Sequence, residues 1–152
     1  MKTLQVYLLG QPVGTLEQTS TGRIEFRYTK AWLQKVGAHP LSQSLPLEDR
    51  LFDERQCVGF FGGLLPEEHN REIIARNLGI SARNDFAMLR EIGGECAGAV
   101  SLLEADAPEV SHAQDYQSVS DVELVDLLDQ LPQRPLLAGQ GEVRLSLAGA
   151  QN

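Results

Sequence analysis

The last nine residues, Arg144-Leu145-Ser146-Leu147-Ala148-Gly149-Ala150-Gln151-Asn152, combine residue types that could handle a phosphate. Arg144 to Leu147 alternates polar and apolar side chains, the pattern of a half-buried strand. Ala148-Gly149-Ala150 then carries almost no side-chain bulk, so another backbone or a phosphate group can come close. Ser146 places a hydroxyl beside that turn. On pattern alone two readings stand: a strand with a fraying tail, or the opening of a site that other residues complete.

The other chemistry-bearing residues are scattered. His39 lies in a Pro-rich loop, His69 in a helical stretch and His112 in an acidic segment, which fits surface or structural roles. Glu67-Glu68-His69 has the composition of a metal site. However, successive helix positions do not share a face, so these side chains diverge. Gly93-Gly94-Glu95-Cys96-Ala97-Gly98 is glycine-rich but runs from helix to strand. A phosphate cradle runs from strand to helix, with the helix N-terminus toward the anion. These glycines are read instead as a helix stop and a tight entry to a strand, which disfavours a hydrolase built on this loop. Ser42 and Ser44 have no His and acid near them in sequence, so nucleophilic catalysis has no support. Cys57 and Cys96 lie too far apart for metal or redox spacing and read as two buried, reduced thiols. No catalytic residue and no metal ligand is assigned.

The elements that must position these residues follow from periodicity. Leu4–Leu9, Thr15–Glu17 and Arg23–Tyr28 read as three strands, separated by turns at Gly10–Gly14 and Thr19–Gly22. They form an antiparallel meander with Ile24, Phe26 and Tyr28 on its covered face. Thr29 caps a short helix over Lys30–Val36, and His39–Leu47, with two prolines, is extended loop. Asp53 caps a helix holding Val58, Phe60, Phe61, Leu64 and Leu65, which ends before Pro66. Pro66 opens the next helix, with Ile73, Ile74 and Leu78, and Gly79 stops it. Asp85–Ile92 forms another helix, Ala99–Leu103 a strand, and Glu104–Ser118 a loop. Ser120-Asp121-Val122-Glu123 is a capping box. The helix it opens carries Leu124, Leu127, Leu128 and Leu131 as a stripe expected to face a core. The whole reads as an α+β domain: a mostly antiparallel sheet packed with several short helices.

Bulk properties narrow the function. At 152 residues the chain is one domain, or one domain and the start of a second. It can bury enough surface to fold without a metal or disulfide. Twenty-one acids against 13 Lys and Arg leave a net charge of −8, which argues against direct contact with DNA or RNA. The N-terminal apolar run is too short and too polar for a signal sequence, and no stretch is long enough to span a membrane. A soluble, cytoplasmic protein is expected.

Four blocks together carry a resemblance. They are Pro40-Leu41-Ser42-Gln43-Ser44-Leu45-Pro46-Leu47, Phe60-Phe61-Gly62-Gly63-Leu64-Leu65-Pro66, Leu89 through Val100, and Arg144 through Asn152. In this order the chain resembles the N-terminal part of the HipA family, the serine/threonine kinase toxins of bacterial HipBA toxin–antitoxin modules. The resemblance implies that residues 1–140 are the N-terminal subdomain and that 141–152 lead into a kinase core. By the same resemblance Leu147, Ala148, Gly149, Ala150 and Gln151 match the family's ATP-phosphate loop. Ser146 matches a serine that family members phosphorylate on themselves. A phosphate there would add about −2 charge beside the loop and could hold it out of place.

The family's phosphate-binding lysine, catalytic Asp and Mg²⁺ carboxylates lie beyond this loop. The 152 residues alone are therefore expected to be inactive, with ATP and Mg²⁺ belonging to the full-length kinase and no cofactor to this chain. The implied partners are a HipB-like helix-turn-helix antitoxin and either a second toxin protomer or the kinase core. DNA would be met only indirectly, and no membrane is involved. The alternative is a separately encoded small module that docks on and restrains a shorter HipA-like kinase.

Overall fold

The computed structural model describes residues 2–95, 99–104, 120–130 and 132. Among these residues four strands form one antiparallel sheet: β1 (Lys2–Leu8), β2 (Gln11–Gln18), β3 (Ile24–Tyr28) and β4 (Val100–Glu104). Their order across the sheet is β3-β2-β1-β4. Among the described residues five α-helices accompany them: α1 (Lys30–Leu33), α2 (Glu54–Phe61), α3 (Glu68–Leu78), α4 (Asp85–Ile92) and α5 (Asp121–Gln130). The α+β expectation holds.

The first hairpin departs from its expected form. Its turn is only Leu9-Gly10, both at positive φ (51° and 73°), and β2 already begins at Gln11. Pro12 is tolerated inside β2 because β3 pairs with β2 only from Gly14 onward, so no ladder hydrogen bond is lost there. A bulge between Val6 and Tyr7 absorbs the register change around it. Gly14 is in the strand for a packing reason. A Cβ at that position would lie 2.5 Å from the Phe26 ring and from the Arg27 carbonyl.

Local signals place the helices. Thr29 accepts from Trp32 N–H (3.1 Å), Asp53 from Gln56 N–H (3.2 Å) and Asn84 from Ala87 N–H (3.0 Å), each capping a helix start. α1 ends earlier than expected, at Leu33, and the chain then reverses through Gly37 at φ +75°. Pro66 lies before the cap of α3, and Leu65 is extended, as a residue preceding proline prefers to be. Gly79 closes α3 in the left-handed conformation, at φ +67°.

The covered face of the sheet is apolar, as its alternation predicts. Ile24, Phe26 and Tyr28 are buried with Leu4, Val6, Leu16 and Leu102. Phe26 packs edge-on against Tyr28 (4.8 Å between ring centroids) and at a tilt against Phe61 of α2 (5.5 Å). Phe52 adds a backbone bridge to the outer edge of β3, exchanging hydrogen bonds of 3.0 and 2.8 Å with Phe26. α4 contributes Phe86, Met88 and Leu89 to the same core.

One expectation is overturned. α5 forms, and its capping box is made: Ser120 N–H donates to Glu123 Oε2 (2.8 Å) and Glu123 N–H to Ser120 Oγ (3.3 Å). Yet no residue of α5 is buried, and Leu124 and Leu128 are 49% and 54% exposed. Helical periodicity reports that a face is apolar; it does not say which surface covers it. Cys96, the Glu104–Ser118 loop beyond Glu104, His112, Leu131 and the 140/141 boundary lie outside the described residues.

Candidate functional site

The expected phosphate-loop residues Leu147, Ala148, Gly149, Ala150 and Gln151, and the expected phosphorylation site Ser146, also lie outside the described residues. The site that can be built upward is the cleft framed by the Pro40–Leu47 loop and the start of α2.

The loop is held from beneath by two aromatic side chains. Tyr28, on the last position of β3, donates its hydroxyl hydrogen to the Leu45 carbonyl (2.6 Å) and accepts from Leu41 N–H (2.8 Å). Trp32 Nε1–H donates to the His39 carbonyl (3.1 Å). Leu45 is fully buried beneath the loop and pins its centre. Burial pushes the Tyr28 hydroxyl above its ordinary pKa of 10.0, with the Leu41 N–H working in the opposite direction. The hydroxyl therefore stays protonated at neutral pH and can both donate and accept.

This support presents Ser42 and Ser44 outward, their hydroxyls 2.9 Å apart. Ser44 donates to the Gln56 carbonyl (3.4 Å), closing the loop onto α2. The cleft between them is open, about 550 Å³, and Arg50, Asp53 and Arg55 supply its charges. Arg50 lies over the Phe52 ring (4.2 Å), pairs with Glu48 and donates to Gln56 Oε1 (3.0 Å). Asp53 is engaged as the α2 cap. Side chains fixed by stacking and capping suit a binding surface better than a reaction centre.

A second cleft, of about 460 Å³, lies where β2, α2 and the start of α4 meet. It is braced by Gln18 Nε2, which donates to Asn84 Oδ1 (3.1 Å), and by an Arg71–Asp85 ion pair between α3 and α4. Arg71 also donates to the Ala82 carbonyl (2.7 Å). Sequence reasoning missed these contacts because the partners are far apart in the chain and neither has a local signature.

The remaining candidates behave as separate groups. Cys57 is buried, its thiol donating to the Phe52 carbonyl (3.5 Å). Burial is the largest influence raising its pKa, to about 12, so the nucleophilic thiolate is suppressed at neutral pH. His39 and His69 are exposed on different elements, and Glu67, Glu68 and His69 do not converge. Among the described residues no three or more His, Cys, Asp or Glu side chains gather as a metal site. Gly93 packs tightly on β4, where an added Cβ would sit 3.0 Å from Leu102 Cβ. That close approach explains the first glycine of this run without any ligand. Among the described residues no helix is long and apolar enough to cross a membrane.

Comparison with known proteins decides what this scaffold is. Residues 4–103 match the family described as "HipA N-terminal domain". The chain belongs to the HipA family. It is 45% identical over 156 residues to "Putative kinase Y4mE" of Sinorhizobium fredii, covering all of this chain and 37% of that protein. It is 31% identical to the serine/threonine-protein kinase toxin HipA of Shewanella oneidensis, covering 98% of this chain and 34% of that protein. Among solved structures it resembles a chain from a complex of Shewanella oneidensis HipA, HipB and operator DNA. There the TM-score is 0.70 and the identity 29%, over 96% of this chain and 33% of that one. The chain thus spans about a third of the length of the relatives it matches. As a HipA-type N-terminal domain, it is related to a serine/threonine kinase toxin.

Proposed function

We propose that this chain is the N-terminal structural and regulatory part of a HipA-like serine/threonine kinase toxin, and that these residues alone do not transfer phosphate. The observation that carries the reading is co-linearity: similarity to a kinase toxin extends over 98% of this chain while covering only 34% of that protein. No step of phosphoryl transfer is assigned to the described residues. Their work is mechanical. The sheet and the braced 40–47 loop present fixed surfaces against which a kinase lobe and an antitoxin can rest.

In this reading Leu147–Gln151 supply backbone N–H groups to the ATP phosphates, and Ser146 is the residue whose phosphorylation moves that loop. The partner is a HipB-type antitoxin, since the similar solved structure is a complex of HipA with HipB and operator DNA. DNA is reached through that partner, which suits a chain of charge −8. The test is phosphate transfer from ATP by the native full-length gene product, read by mass spectrometry at Ser146. Phosphate on Ser146, absent in Ser146→Ala and absent when the 152 residues are incubated alone, is expected. Phosphotransfer by the repurified 152-residue chain would refute the assignment.

A further inference from the structure

We draw no further inference here: the strongest candidate, the open cleft between the 40–47 loop and the start of α2, holds Arg50 on Glu48 and Asp53 on the helix cap, and nothing in the structure shows what ligand would fill it.

Discussion

Removing one oxygen atom should loosen the 40–47 loop. In Tyr28→Phe the ring still fills its place against Phe26 and Phe52, at 4.8 and 5.9 Å between centroids, so packing is little changed. What disappears is the hydroxyl that links the Leu45 carbonyl to Leu41 N–H. The Leu45 end is fully buried and loses its donor, at a cost of about 1–3 kcal/mol. The Leu41 end is only half-buried, and water can replace the hydroxyl there, leaving about 0.5–1 kcal/mol. Together the substitution should cost about 1.5–4 kcal/mol in urea unfolding, with faster amide exchange at Leu41 and Leu45. There is also a pH signature. The folded pKa of Tyr28 is raised, so the neutral hydroxyl's contribution is complete below pH 10.0 and is lost as pH climbs through the folded value. Tyr28→Phe should lack that alkaline loss. A cost below about 0.5 kcal/mol, with unchanged exchange in the loop, would refute the claim that Tyr28 holds it.

Gly14→Ala should cost about 3 kcal/mol, because the new methyl meets the Phe26 ring and the Arg27 carbonyl at 2.5 Å. Gly63→Ala, with nothing within 4 Å, should stay within about 0.5 kcal/mol, and equal effects of the two in urea titration would contradict the packing argument. Leu9 is 78% exposed at φ +51°, so Leu9→Asn should raise stability by about 0.5–1 kcal/mol; a measured loss would count against turn strain. Cys57 should resist a thiol reagent in the native protein at pH 8 and react at once in urea. Because its folded pKa is raised from 9.0 to about 12, stability should fall as pH rises across that interval, and Cys57→Ala should remove this part of the fall.

What the sequence revealed was local. The α4 boundaries, the Asp53 cap, the stop at Gly79 and the Ser120–Glu123 capping box depend on neighbours three or four residues away, and each is found where expected. β2 was underestimated because Pro12 and Gly14 usually mark turns. Their tolerance depends on where β3 ends and on the Phe26 ring, both distant in the chain. The extended shape of the 40–47 loop was visible as two prolines, but its anchor at Tyr28 was not, since the bond to Leu45 spans 17 residues. The Arg71–Asp85 pair and the Gln18–Asn84 bond were hidden for the same reason. α5 was legible as an amphipathic helix, while the surface that covers it was not.

The most direct measurement is to read the native frame past the codon for Asn152. A HipA-like kinase predicts that it continues to about three times the present length, through a lysine and later acidic residues able to serve phosphoryl transfer. A frame that closes at Asn152, with no kinase-type frame beside it, would contradict the account.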